Sequence, residues 1–398
     1  MTKTAIIGGG AAGFFLAINL KEMWPEMDVT IFEKSKRLLT KVEISGGGRC
    51  NCTNTFEGVN DLSMVYPRGH RLMKRLFNVF DYHDAYQWFE SHGVPLTVQS
   101  DHCVFPKAQD SHAIINCFLQ HARKYGVHVV TNHPITRMAD LDGYDFKVMT
   151  TGGMPRNGTM DWLQETGHEM EPPVPSLFSL SIEDSALKEL MGAVADQAIV
   201  QLPGTKIRTQ GPLLVTHWGL SGPAILKLSS QAARILHDQG YKTTLLVNWT
   251  GLPESEVRDT IMDMTILHRL KQLSSIAPFG LTHRLWQYIL SKSLAEKKTM
   301  RWTDLGKKDL NRLINTLIGD SVSVTGRAPF HDEFVTCGGV SLKSILPTTL
   351  ESRTCPGLYF AGEVLDIDGI TGGFNFQAAW TTAFMVAQSI AAKKEAFT

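Results

Sequence analysis

The chain has no excess of charge of either sign. Its 398 residues carry 39 Lys and Arg against 39 Asp and Glu, so no broad field favours nucleic acid or an anionic membrane, and neither is expected as a partner. Long apolar runs are missing too; none reaches the ~18 residues a membrane-spanning helix needs. Six cysteines are too few for a disulfide scaffold in a chain of this length. Cys50 and Cys52 form a CxC rather than a CxxC, no His/Cys spacing suggests a metal, and internal repeats are absent. The first apolar strand starts almost at Met1, so no secretory leader is expected, and a reduced cytoplasmic setting is.

Glycine, by contrast, is abundant and placed. The stretch "TAIIGGGAAG" runs an apolar strand into Gly8, Gly10, Ala11, Ala12 and Gly13, with an apolar helical segment behind it. "VTIFE" follows and ends on Glu33. Strand, glycine turn, helix, strand and acid form the apparatus that holds a dinucleotide. Gly8 permits the tight turn, Gly10 lets a pyrophosphate approach the backbone, and Gly13 lets helix and sheet pack closely. The helix start offers free N–H groups and a positive dipole end, and Glu33 can accept from ribose hydroxyls.

Further along, "KVEISGGGRCNCTN" reads as a loop. Residues 68–92 read as helix, and Arg68, Arg71, Lys74 and Arg75 as its solvated face. A helix is expected over 110–125 and strands at Val127–Thr131 and Phe146–Gly153. "PPVP" near 172–175 marks a domain crossing. The texture then turns to short alternating strands (176–252), to helices (253–319) and back to strand (320–342). A nucleotide fold of residues 1–175 and 343–398 is thus interrupted by an insertion. No second GxGxxG follows, so NAD(P)H, if used, has no separate domain of the usual signature.

The last 60 residues carry the second signal. "YFAGE" is a strand delivering Gly362 and Glu363, and "TGGFNFQAAW" is a glycine loop opening a long helix near Asn375. A helix start aimed at the N1–C2 carbonyl edge of a flavin stabilises the charge that builds there on reduction. The backbone N–H groups of Asn375 and Phe376 are the candidate donors.

"GGGAAG", "SGGGRCNCTN", "LLVTHWGLSGPAILKLS", "FVTCGGVSLKSILPTTLES" and "GLYFAGEVLDIDGITGGFNFQAAWTTA" together resemble the BaiN-like (YhiN) bacterial flavoprotein family, in order from Ala5 to Ala383. The resemblance implies an α/β, Rossmann-like FAD-binding domain of the two-dinucleotide-binding-domain type, with an inserted β-barrel-like domain and a helical subdomain. It implies noncovalent FAD and an oxidoreductase acting on a small organic molecule; members include an amine (aminoacetone) oxidase and a reductase of conjugated steroid ketones. The redox partner stays open among dioxygen, NAD(P)H and a protein. A flavoprotein acting on nucleic acid, or one serving only electron transfer or binding, is the alternative.

By position, the resemblance assigns Gly8, Gly10, Ala12 and Gly13 to the pyrophosphate, and Glu33 with Lys34 to the adenosine ribose. Gly47, Gly48, Arg49, Cys50 and Asn51 go to the pyrophosphate and flavin region, and Thr151 and Gly152 to a second glycine motif. Gly362, Glu363, Gly373, Asn375 and Phe376 go to the ribitol and isoalloxazine. Two departures stand out: the segment after Gly152 is short, and the usual "GRCNVTN" reads "GRCNCTN". Cys52 is expected to pack as a small apolar residue. Cys50, beside Arg49, is weighed between packing and a lowered pKa. His217, at the edge of the insertion, is a weak candidate for proton transfer at a substrate site expected where insertion and FAD domain meet. Trp218, Trp249 and Trp286 are expected in the core.

Overall fold

Strand β1 (Lys3–Ile7) is buried from Thr4 onward and sits in the middle of a five-stranded sheet. Its order is Leu358–Phe360, Phe146–Met149, β1, β2 (Asp28–Phe32), His128–Val130, and every pairing is parallel. A strand buried on both faces needs no alternation, which is why β1 reads as an unbroken apolar run. Helix α1 (Ala11–Met23) follows and is buried throughout Ala12–Leu20. It stops at Trp24, the residue before Pro25, where the helical conformation is disfavoured; Lys21 closes the end by donating to the Pro25 and Met27 carbonyls. The closing helix, Phe374–Ala391, is likewise largely buried. Phe15 of α1 lies 5.2 Å from the Trp380 ring, and Phe89 and Phe118 complete the cluster.

This computed structural model describes residues 2–153, 161–295, 299–328 and 335–397. The chain divides into two units, Met1–Val174 with Val335–Thr398, and Pro175–Phe334. Besides the parallel sheet, the first unit holds an antiparallel sheet of Thr53–Asn54, Cys103–Pro106 and Leu96–Val98. The second unit is an eight-stranded antiparallel sheet, with Leu180–Ile182, Asp320–Arg327 and Thr243–Asn248 as central strands. Helices Glu254–Leu267, His283–Leu294 and Lys307–Gly319 form its helical part. Helices Pro223–Gln231 and Ala233–Asp238 stand where only strands were expected.

Four local expectations change. The return segment 320–342 is divided: Asp320–Arg327 joins the antiparallel sheet, whereas Val335–Val340 pairs with Met170–Ser176 and belongs to the first unit. Residues 68–92 form two helices, His70–Leu76 and Tyr82–Ser91. Asp81 restarts the second by accepting from the His83 and Asp84 N–H groups in a capping box. The glycine segment begins as helix, α2 (Thr40–Gly48), and leaves helical geometry at Ser45, ψ 150°. The strand from Phe146 ends at Met149 rather than Gly153.

Candidate functional site

The turn after β1 is packed on one side and open on the other. A Cβ on Gly8 (φ +122°) would stand 2.3 Å from the Thr150 carbonyl oxygen, and one on Gly13 2.1 Å from the Gly8 carbonyl oxygen. A Cβ on Gly10 would meet nothing within 4 Å. Gly8 and Gly13 therefore serve the protein's own packing, while Gly10 faces open space. Gly10 caps α1 without a side-chain bond, and no acid lies in the first turn. The N–H groups at that helix start have no intrahelical partner and suit an anion. Ala11 and Ala12 are its first residues, and Ala12 meets the other half of the chain: a Cβ on Gly362 (φ +78°) would lie 2.9 Å from that of Ala12.

Glu33 is fixed from two sides. Its Oε2 accepts from the Gly9 N–H at 2.9 Å and its Oε1 from the Ser35 N–H and hydroxyl. Each carboxylate oxygen keeps acceptor capacity, so the acid ties the glycine turn and still presents lone pairs. Lys34 is exposed, with no hydrogen bond or ion pair among the described residues.

Gly46, Gly47 and Gly48 follow one another with φ of +57°, +69° and +85°. Three successive left-handed residues turn the backbone into a tight arc. Added Cβ atoms on Gly47 and Gly48 would meet nothing within 4 Å, so the arc, like Gly10, has open space beside it. Arg49 turns elsewhere. Its guanidinium lies 4.3 Å from the Phe105 ring centroid and donates to Gln109 and to the Gly46 carbonyl.

Cys50 is fully buried, and burial pushes its thiol up to about 12; Cys52, also buried, is pushed well above the ordinary thiol range for the same reason. Arg49 supplies no compensation, so neither is a thiolate near neutrality. In the native protein at pH 8, a thiol reagent should label Cys355, which is half-exposed, and leave Cys50 and Cys52 unmodified until the chain unfolds. Peptide mapping by mass spectrometry reads this; rapid labelling of Cys50 would sink it.

Asn51 joins the arc to the closing helix. With its amide nitrogen toward the Thr53 and Val104 carbonyls, its oxygen accepts from the Gly373 N–H at 3.2 Å. The chain there is crowded: a Cβ on Gly373 (φ +90°) would come within 2.2 Å of the Thr53 carbonyl oxygen. Asn54 donates to the Gly372 carbonyl, Tyr66 to that of Phe374, and Trp380 to that of Cys52. The Asn375 side chain is spent on its own loop, exchanging bonds with the Gly369 N–H and carbonyl. Its backbone N–H and that of Phe376 remain at a helix start whose cap, Gly373, offers no side chain and whose first turn has no acid. The Phe376 ring stacks on Trp380.

Glu363 accepts from Lys41 Nζ at 2.7 Å and from the Thr336 N–H at 2.8 Å. Gly152 and Gly153 pass close to that carboxylate. The Thr151 hydroxyl is buried with no hydrogen-bond partner among the described residues; the short segment after Gly153 lies, over 154–160, outside them. Two uncapped helix starts, an open glycine arc, an open Gly10 and an orphaned buried hydroxyl converge in one unit, and these residues fit a dinucleotide with a flavin at one end.

His217 belongs to the second unit. It is exposed at the hairpin tip between Leu213–Val215 and Gly219–Ser221, edge-on to Trp218, and makes no hydrogen bond among the described residues. Trp249 and Trp286 are in the core and Trp218 is half-buried. Arg68, read as part of a solvated face, is instead half-buried and paired with the buried Asp368. Arg71, Lys74 and Arg75 are exposed. An open cavity of about 450 Å³ beside His92, Lys107 and Cys117 holds none of the converging glycines. Among the described residues no group of His, Cys, Asp and Glu could hold a metal, and no helix is long and apolar enough to cross a membrane.

Relatives and solved structures agree with this architecture. The chain is 28% identical over 421 residues to the ribosomal RNA dihydrouridine synthase of Escherichia coli, covering 98% of each. It is 26% identical over 421 residues to the 3-dehydro-bile acid delta(4,6)-reductase of Clostridium scindens, covering 98% of this chain and 99% of the relative. The solved 3-ketosteroid delta1-dehydrogenase of Sterolibacterium denitrificans matches 99% of this chain and 100% of its own at a TM-score of 0.51 and 12% identity, a likeness of fold. The protein is an FAD-dependent flavin oxidoreductase. The model of the HI0933-like protein Rossmann domain matches residues 2–389, and the chain belongs to that family.

Proposed function

We propose that the protein reduces a carbon–carbon double bond conjugated to a carbonyl, with NAD(P)H as the electron donor. One observation carries this reading. The reactions named for the two curated relatives differ in substrate but share a bond type. A 3-dehydro steroid with double bonds at 4 and 6 is a conjugated ketone, and the double bond saturated in dihydrouridine is conjugated to the uracil C4 carbonyl. Such a bond is saturated by a hydride at its carbon farther from the carbonyl (β in an enone, δ for the outer bond of a dienone) and a proton at its nearer carbon. The balance is one NAD(P)H and one proton consumed per double bond saturated.

The bound flavin supplies the hydride-carrying N5. The chain's own residues bind and orient. The start of α1 and the Gly46–Gly48 arc present backbone N–H groups to phosphate oxygens. The start of the closing helix presents those of Asn375 and Phe376 to negative charge. The Lys41–Glu363 pair fixes the segment that crosses Ala12.

The test is anaerobic. The yellow protein should bleach on addition of NADPH or NADH, and a steroid 4-en-3-one should restore the colour while the saturated ketone does not. Restoration by a uridine-containing RNA but by no small enone would keep the bond type and assign a nucleic-acid substrate. Bleaching by an amine, with no response to either nucleotide, would overturn the proposal in favour of an oxidase.

A further inference from the structure

Loop 366–373 carries the chain into the closing helix, and a second segment, 54–69, holds it from outside. Arg68 donates through Nε and Nη2 to both carboxylate oxygens of Asp368, and the two residues also pair as an isolated antiparallel bridge. The Asp368 side chain is 0% exposed and that of Arg68 16%. Beside them the Ile370 N–H donates to the Val65 carbonyl, Tyr66 donates to the Phe374 carbonyl and Asn54 to that of Gly372. Gly69 (φ +79°) is pressed on Ile367, where a Cβ would come within 2.7 Å. These bonds end between residues 368 and 374, ahead of Asn375 and Phe376.

A bidentate guanidinium–carboxylate pair is rigid and directional. A buried pair costs desolvation and is weak evidence for stability in itself, and simple packing would have served to close this loop. A paired charge beside an uncapped helix start does something packing does not. It fixes the direction of the helix N–H groups, and it places charge of each sign beside them, Asp366 also acting on Arg68.

We propose that Arg68 and Asp368 are positioning residues that set the reduction potential of the flavin held at the start of the closing helix. The inference rests on the FAD site and is independent of which substrate is reduced. Removing the Asp368 charge leaves the Arg68 cation to favour the reduced, more negative flavin. Removing the Arg68 charge leaves the Asp368 carboxylate to oppose it.

Dye-equilibrated spectral titration of the FAD-loaded full chain measures the two-electron potential, alongside thermal melting of each protein. Asp368→Asn should raise the potential, shifting the ratio of reduced to oxidised flavin tenfold or about 30 mV. Arg68→Gln should lower it by a similar amount, and Arg68→Lys should stay near the wild type. Opposite signs in the two neutralised variants support the proposal even if both melt earlier. Shifts of the same sign, or no shift in either, overturn it and leave a structural pair. If one variant does not fold, the sign found for the other decides. A protein that shows these shifts yet reduces no enone would sink the proposed reaction and not this assignment.

Discussion

Gly13→Ala should cost the protein its fold or much of its stability, whereas Gly10→Ala, three positions earlier, should leave the apoprotein intact and weaken its hold on FAD. The added methyl at position 13 would lie 2.1 Å from the Gly8 carbonyl oxygen and 2.9 Å from the Thr150 hydroxyl. The first of these is backbone and the second is bonded to the Ile7 and Gly8 carbonyls, so neither is free to yield. Overpacking a dense core costs about 1–3 kcal/mol and occasionally more; rigid backbone on the far side puts this case at the upper end or beyond. For a unit of this size, about 3 kcal/mol lowers the melting temperature by roughly 6–12 °C. At position 10 the backbone is extended, φ −98° and ψ −165°, and suits any residue. Nothing stands within 4 Å of the added methyl, so apoprotein stability should move by no more than about 0.5 kcal/mol. The methyl would occupy space the pyrophosphate needs, and the FAD dissociation constant should rise about tenfold or more, roughly 1.4 kcal/mol. Melting of the apoprotein and fluorescence titration with FAD separate the two effects. A Gly13→Ala protein that melts like wild type would sink the packing argument. A Gly10→Ala protein with unchanged FAD affinity would sink the cradle.

Those two glycines also show what was legible in the sequence. The motif names Gly8, Gly10 and Gly13 because each answers a local demand of one strand, one turn and one helix. The same locality exposes Gly372 and Gly373 at the start of the closing helix. Arg68 was not legible. Its partner Asp368 is 300 residues away, and its sequence neighbours Arg71, Lys74 and Arg75 are exposed, so the run reads as one solvated face. The signal that marks Arg68 off is Pro67 before it and Gly69 after it, which place it in a turn ahead of the helix and not on its face. The partners of Arg49 were not legible either. It sits in the glycine motif, yet Phe105 and Gln109, brought in by the antiparallel sheet, claim its side chain. The break in the helix expected over 68–92 was legible in principle, because Asp81 and Asp84 have the spacing of a capping box. Pairings fixed by long-range contact, such as that of Asn51 with Gly373, have no such local mark.

The second large effect is expected in the antiparallel unit, at Lys292. Helix His283–Leu294 is fastened to the sheet through a polar cluster. Lys292 Nζ lies 2.6 Å from Asp320 Oδ1 and 3.7 Å from Asp184 Oδ2, and donates to the Tyr288 hydroxyl and the Ser321 carbonyl. Trp249 Nε1–H donates to Asp320 at 3.0 Å and Tyr288 donates to Asp184 at 2.8 Å. Asp320 is 2% exposed. Burial raises its carboxyl above the ordinary range, with Lys292 and Trp249 pulling it back. In Lys292→Met the burial is no longer opposed by a cation. Breaking a buried pair from one side costs about 3–5 kcal/mol, and a lysine side chain one-third exposed places this case near 3 kcal/mol at pH 8. The pH dependence has a fixed sign. A carboxyl raised further in the folded state makes the folded protein bind more protons than the unfolded one, so its contribution is fully present below the unfolded carboxyl range and is lost as pH rises through the folded value. The deficit of Lys292→Met relative to wild type should therefore shrink from pH 8 toward pH 5, and Lys292→Arg should recover most of it. Denaturant titration of both variants at the two pH values reads the difference. A deficit of equal size at both would show that lost packing of the lysine stem, and not the stranded Asp320 charge, is what the substitution removes.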